Sequence, residues 1–438
     1  MGLKSLVIDL KTQTANIVAT ESVTVSYHHS LTIFRGQSFF TSSFTIKNNQ
    51  GHFVTCLDKH YERFIRSYHR MFERSIFPLS YEQFKDYVDQ LLAANKDSKQ
   101  QNLHCIMSCV AGKSQSQSFE DGRYSNGFGG DLVELVMVIN EFEPKPSWCY
   151  EKGLNVLTMP YQRPLATAKP SHYLGGVQGQ HIIDALNTAA LLFKTQHTCS
   201  IEQALDVSYK SYQALNEFDQ YSYRRLCHDC WAMTQASDIQ KIKSLYPKDI
   251  QNLPVFESLG YDEVKQLNKQ YDAYFKQLWH EVIFVSEDEN PYLYEGSTFS
   301  LLGIDKDDTC VFIPLHGNNS KADDLNTGYV LESTTIAMLQ HVAKQNQISH
   351  RVSSLRYEDV SQLKALYCVS TTRLSLQDNV YQLQPCRRFD NESLTIAPSK
   401  TYDDLMQGVH AFMDSYSYNM NLETPYLIAK SDTLKASR

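Results

Sequence analysis

From residue 3 to about residue 57, apolar and polar positions alternate in short β-branched and aromatic runs: LVIDL, ANIVAT, SVTVSY, FFTSSFTI and HFVTCL. A period of two, broken by turn residues such as NNQG at 48–51, predicts strands. The period then changes. In LDKHYERFIRSYHRMF the apolar positions Leu57, Tyr61, Phe64, Ile65, Tyr68 and Phe72 recur every three or four residues, which predicts a helix starting near Asp58. SYEQFKDYVDQLLAAN repeats that spacing, with Ser80 placed to cap the first turn. LHCIMSCVAG and ELVMVINEF return to strand-like runs. EFEPKPSW, with its prolines and mixed charge, predicts a linker, so an N-terminal α/β domain is expected over 1–147 and a second domain over 148–438.

The second half opens on the strand NVLTMPY and passes through the loop TAKPSHY into the helix HIIDALNTAALLFK. Residues from about 200 to 278 have helical periodicity almost throughout. Within EVKQLNKQYDAYFKQL, Val264, Leu267, Tyr271, Phe275 and Leu278 make one apolar stripe. Strands resume at EVIFV, YLYEG, FSLLGI and CVFIPL, followed by the helix TTIAMLQHVAKQN and the strand ALYCVS. The pattern is α+β, with a helical block interrupting the second domain and no repeat of fixed period.

Composition narrows the class. The 438 residues are 42% hydrophobic and 21% charged, the profile of a folded chain with more than one core. No window approaches eighteen consecutive apolar residues, and MGLKSLVIDL lacks the apolar core of a signal peptide, so a cytoplasmic location without membrane contact is expected. Leu6 stands where a myristoylation signal needs serine or threonine. A net charge of −8 without a basic stripe argues against nucleic acid as a partner. The ten cysteines are expected to be reduced thiols. Only Cys227 and Cys230, in RLCHDCW, have CxxC spacing; with no second pair, they are expected to be structural helix cysteines, and no metal site is expected. CVAGKS ends like a phosphate loop, yet Met107 stands where its first glycine belongs, and NGFGG at 126–130 lacks a strand-to-helix context. Both are expected to be ordinary loops.

One lysine has no such bland context. In TAKPSHYLGG, residues 167–176, Lys169 sits between a small-residue loop and a helix start, where a sheltered amine is costly unless neutral or covalently used. Around it, in order, come RGQSFF (35–40), LDKHYERF (57–64), KPSHYLGGV (169–177), YEGSTFSLLGI (294–304), CVFIPL (310–315), LESTTIAML (331–339) and YCVSTT (367–372). In sequence and succession these resemble the landmarks of the class IV aminotransferases, a family that includes branched-chain and D-amino acid aminotransferases and aminodeoxychorismate lyases. The resemblance covers most of the chain outside the helical block. It implies the fold type IV of pyridoxal 5'-phosphate (PLP) enzymes, a two-domain α/β fold like that of D-amino acid aminotransferase. Here the fold carries a large helical insertion at about 197–280.

The resemblance also implies roles. Lys169 matches the amine that forms an imine with the cofactor aldehyde and later acts as a base. Glu295 matches the carboxylate facing the pyridine nitrogen, Arg63 the arginine on the cofactor phosphate, and Thr334, Thr335, Ser370 and Thr371 the helix-end and hydroxyl contacts to that phosphate. Tyr173 is expected at the cofactor, and Phe40 and His172 in the substrate pocket. Departures fall on the substrate side: RGQSFFTS replaces the usual RGDGxFE, with Thr41 where a glutamate is expected, and STTI replaces GITR. The activity implied is transfer of an amino group between an amino acid and a 2-oxo acid, in a homodimer. The alternatives are a PLP-dependent carbon–carbon lyase and a non-catalytic interaction protein on this fold. The insertion is expected to be a solvated hairpin, or a lid or docking module for an unknown partner.

Overall fold

The computed structural model describes residues 2–24, 36–72, 76–98, 102–112, 132–163, 168–171, 174–233, 235, 238–314, 330–377 and 380–418. Two sheets organise the chain. The first is a six-stranded antiparallel sheet of β1 (Lys4–Asp9), β2 (Thr14–Ala19), β3 (Ser38–Asn48), β4 (Gly51–Val54), β5 (Leu103–Ala111) and β6 (Leu132–Glu141), in the order β2-β1-β6-β5-β3-β4. Alternation along β5 turns Leu103, Cys105, Met107 and Cys109 inward. They meet the apolar stripes of helices α1 (Leu57–Phe72) and α2 (Tyr81–Ala94), where Phe64, Phe84, Val88 and Leu91 are fully buried. Each such side chain contributes roughly 1.5–3 kcal/mol by leaving water. Ser80 caps α2 in a reciprocal box with Gln83.

The run HFVTCL is strand only as far as Val54. Cys56 then turns into the left-handed region (φ 52), and its carbonyl accepts the Lys59 and His60 amide hydrogens that open α1. Of SVTVSY, Ser22 closes a short 3-10 turn, Val23 and Thr24 follow it as irregular backbone, and the remainder lies outside the described residues.

Residues 142–147 lead as irregular backbone into a second, nine-stranded sheet. Its main path runs β12 (His350–Val352), β11 (Cys310–Phe312), β10 (Ser300–Ile304), β13 (Ala365–Val369), β16 (Gln384–Phe389), β7 (Leu154–Pro160), β8 (Glu281–Val285) and β9 (Leu293–Gly296); β14 (Ser375–Gln377) and β15 (Val380–Gln382) form a separate hairpin, and β17 (Glu392–Ser393) pairs with β16. β7 and β8 are neighbours and parallel, so the chain between them must cross over the sheet. The helical block is that crossover, enlarged.

Its main helices are α3 (Leu174–Gln196), α4 (Ile201–Gln213) and α5 (Glu217–Ala232), followed by shorter segments at Asp238–Ser244, Lys248–Gln251, Tyr261–Lys265 and Leu267–Tyr274. Leu186 and Ala190 of α3, Leu205 of α4, Tyr223 and Leu226 of α5 and Phe256 form one core with Leu157, Val282 and Phe284 of the sheet. Gly179 makes the close approach possible, because a Cβ there would stand 2.3 Å from Val282. The stripe expected through EVKQLNKQYDAYFKQL is broken: the helix stops at Gln266, and Tyr271 and Phe275 are 39% and 37% exposed while Val264, Leu267 and Leu278 are buried. Phe275 packs instead edge-on to Trp148, with ring centres 5.2 Å apart. Among the described residues, no helix is long and apolar enough to cross a membrane.

Candidate functional site

The first sheet supplies one wall of the site and fixes the lysine. The start of β3 pairs with the loop ahead of α3: the Phe40 amide donates to the Lys169 carbonyl (3.0 Å) and the Ser171 amide to the Ser38 carbonyl (2.9 Å). The Lys169 amide donates to Ser67 Oγ of α1 (3.1 Å). Three hydrogen bonds therefore hold the backbone around a half-buried lysine, whose Nζ lies 4.8 Å from the centre of the Phe40 ring.

The second sheet supplies the carboxylate. Glu295, near the end of β9, is 3% exposed. Its Oε1 is 2.9 Å from Arg163 Nε, and its Oε2 accepts the Leu331 amide hydrogen at 3.3 Å. Burial pushes this carboxyl above the ordinary glutamate value, while the positive charges of Arg163 and Lys169 and the Leu331 amide pull it back down. The amine of Lys169 is thus close enough to act on the Glu295 charge.

Cationic and hydroxyl groups gather elsewhere on the same cavity. Arg63 on α1 is 4% exposed; one Nη donates to Thr41 Oγ1 (3.1 Å) and the other to the Glu332 carbonyl. Helix α6 (Thr334–Gln345) begins here, capped by Ser333 Oγ, which accepts the Ile336 amide hydrogen at 3.2 Å. The turn after β13 presents Ser370 and Thr371, and the Thr371 hydroxyl donates to the Ser42 carbonyl (3.3 Å). Thr335 sits behind this rim, its Oγ1 3.4 Å from Thr371 Oγ1.

These groups enclose a cavity of about 280 Å³, to which Lys169, Glu295, Arg63, Thr334, Ser370, Thr371 and Phe40 all contribute. Seven residues separated along the chain by up to hundreds of positions are therefore brought to one place. His172 and Tyr173 lie outside the described residues. Sequence reasoning missed Arg163, Ser42, Thr298 and Ser333, which also line the cavity. Arg163 carried a faint signal: it follows strand NVLTMPY closely and precedes Lys169, and a buried glutamate requires a cationic neighbour.

The donor set suits a flat, phosphorylated aldehyde cofactor. An arginine, a helix N-terminus and several hydroxyls are of the kind that would hold an anion, a buried carboxylate could pair with a protonated ring nitrogen, and an amine lines the same cavity. No group of His, Cys, Asp and Glu able to hold a metal ion occurs among the described residues. Cys227 and Cys230 are buried free thiols on α5, and burial pushes Cys230 up to about 12, which leaves it unreactive. None of the described residues lining the cavity comes from 197–280; the described residues of the block pack in one core with Leu157, Val282 and Phe284 of the sheet.

Several solved structures that share this architecture are aminotransferases. The Escherichia coli branched-chain amino acid aminotransferase aligns with a TM-score of 0.55 at 11% identity, covering 96% of this chain and 98% of that one. The branched-chain aminotransferase of Thermoproteus uzoniensis, solved with norvaline, gives a TM-score of 0.54 at 14% identity, with 97% and 100% covered. A hypothetical aminotransferase from Mycobacterium tuberculosis, in its form with α-ketoglutarate and PMP bound, gives a TM-score of 0.50 at 11% identity, with 93% and 98% covered. No family model and no curated protein matches the sequence. At these identities the likeness is one of fold, and the fold is type IV of the PLP-dependent enzymes: mixed helix and sheet, in two curled layers.

Proposed function

We propose that this chain binds PLP and transfers an amino group between an amino acid and a 2-oxo acid. The observation that carries the reading is the shared cavity, which Lys169, Glu295, Arg63, Thr334, Ser370 and Thr371 all line. When bound there, PLP supplies an electron-poor ring that stabilises negative charge at the substrate α-carbon. The protein does the rest. Lys169 Nζ would hold the cofactor aldehyde and, when free, would take the proton from the substrate α-carbon and deliver it to the cofactor carbon that carried the aldehyde. Glu295, when ionised, would keep the ring nitrogen protonated, and the positive charge of Arg163 favours that ionised form. Arg63, the start of α6 and the hydroxyls of Ser370 and Thr371 hold the phosphate. Phe40 covers one side of the lysine amine and limits its hydration.

The same reading takes the protein as a cytoplasmic homodimer acting on small molecules, with its N-terminal domain at 1–147 and its PLP-binding domain at 148–438. Tyr173 is assigned to the cofactor and His172 to the substrate pocket. The test is the visible absorbance of the purified protein on titration with PLP, followed by a panel of amino acids. Saturable absorbance that disappears in Lys169→Ala, and bleaching by at least one amino donor with release of its 2-oxo acid, are expected. Absorbance unchanged by Lys169→Ala overturns the site assignment. Release of pyruvate without bleaching identifies the lyase reading instead.

A further inference from the structure

Behind the wall that carries Arg63, two polar residues that do not line the cavity are hydrogen-bonded in series. Thr41 on β3 is fully buried, His60 on α1 is 1% exposed, and neither belongs to the lining. Thr41 Oγ1 receives a hydrogen bond from Arg63 Nη1 at 3.1 Å and also contacts His60 Nδ1. A guanidinium has only donors, so Thr41 Oγ1 accepts from Arg63 and the hydroxyl proton of Thr41 points away from it. With the ring proton on Nε2, His60 Nδ1 accepts the hydroxyl proton of Thr41; with it on Nδ1, the ring donates to Thr41 Oγ1 instead, and in either tautomer the contact holds the Thr41 hydroxyl. The series therefore runs from Arg63 through Thr41 Oγ1 to His60 Nδ1. Burial beside the positive charges of Arg63 and Lys169 keeps the imidazole neutral.

The other Nη of Arg63 donates to the Glu332 carbonyl, immediately ahead of the Ser333 cap of α6. The guanidinium is thus held from two sides, by the Thr41–His60 series in the first sheet's domain and by backbone leading into the helix that faces the same cavity. Thr41 stands where the resemblance leads one to expect a glutamate, so this arrangement belongs to this chain's own sequence.

We propose that Thr41 and His60 are positioning residues that orient Arg63 for the phosphate end of the ligand. The inference rests on the PLP reading above and goes beyond it. It also predicts a specific pattern of affinities, because orientation of Arg63 matters to a ligand with a phosphate and not to the same ligand without one.

The experiment compares PLP with pyridoxal, which lacks the phosphate, by absorbance titration of the full-length protein. Thr41→Val preserves shape and removes the hydroxyl. It is expected to weaken PLP binding roughly tenfold, the scale of one lost hydrogen bond to a charged group, while pyridoxal binds as it does to wild type. Thr41→Ser, which keeps the hydroxyl, restores PLP binding. His60→Gln, whose side-chain carbonyl can still accept from Thr41, retains more PLP affinity than His60→Leu. A thermal melt of each variant identifies any that fails to fold, and Thr41→Val alone then decides. Equal loss of PLP and pyridoxal binding in Thr41→Val, or no loss of either, overturns the proposal while leaving the PLP reading intact. Absence of Lys169-dependent absorbance in wild type with PLP overturns both.

Discussion

Glu295 shows how one side chain's environment sets the chemistry available to the site. A carboxylate that is 3% exposed resists ionisation, and what opposes that resistance is the Arg163 guanidinium 2.9 Å away, with help from Lys169 and the Leu331 amide. Removing Arg163 removes a positive charge, so the proton binds Glu295 more tightly and at higher pH. In Arg163→Gln the acid limb of the PLP-dependent rate is therefore expected to move to higher pH, and Glu295→Gln is expected to abolish that limb along with most of the rate. Because one member of a buried pair is left alone, Arg163→Gln should also lose roughly 3–5 kcal/mol of stability. A pH–rate profile beside a denaturation curve separates the two effects; an acid limb that stays at its wild-type pH refutes the role given to Arg163. Lys169, Glu295 and Arg63 were legible in the sequence because a run of ordered motifs surrounds each of them. Arg163 was not. An arginine after a strand is usually a surface residue, and only the tertiary approach of Glu295, far along the chain, gives it a partner.

At the scale of elements, the entry from the helical block into β8 concentrates several constraints. His280 Nδ1 accepts the Asn155 amide hydrogen at 3.0 Å, and the ring packs against both Trp148 and Phe275, with centroid separations of 5.2 Å and 6.3 Å. Chiefly through burial, its pKa falls from 6.5 to about 4. A histidine with a depressed folded value stabilises the fold fully above its unfolded pKa, and that contribution is lost as pH falls toward the folded one. Melting temperature is accordingly expected to decline between about pH 6.5 and about pH 4, and to decline less steeply in His280→Gln. Identical slopes for variant and wild type contradict the assignment of this acid sensitivity to His280. The broken helix just upstream explains part of what the sequence concealed. Periodicity told which of Val264, Leu267 and Leu278 face inward, but not that the backbone stops at Gln266. Tyr271 and Phe275 fit the period and still lie half out, because an aromatic ring can cover a surface with one face and meet water with the other.

For the whole molecule, the decisive relation is between the helical block and the cavity. A surface hairpin could be removed without harm, and a lid would change ligand affinity when altered; the described packing of the block is against the second sheet. The block closes the crossover between parallel strands β7 and β8, and its apolar faces complete a core that includes Leu157, Val282 and Phe284. Arg388 of β16 ties it further, pairing with Asp206 of α4 and lying 4.8 Å over the ring of Trp279. Length and helicity of the block could be read from the chain, whereas this fusion could not, since amphipathic helices look alike whichever apolar surface they cover. Stability and ligand binding should therefore separate cleanly. Leu205→Ala, at a fully buried position, is expected to cost about 2–5 kcal/mol by opening a cavity, yet to leave the ratio of PLP to pyridoxal affinity unchanged. Paired substitution of Phe218 and Tyr221, which are 70% and 52% exposed, by serine should stay within about 0.5 kcal/mol of wild type. Chemical denaturation and PLP titration on the same samples check both. If Leu205→Ala instead shifts the affinity ratio while its melting curve stays put, the block communicates with the cavity, and its place as a purely structural layer is lost.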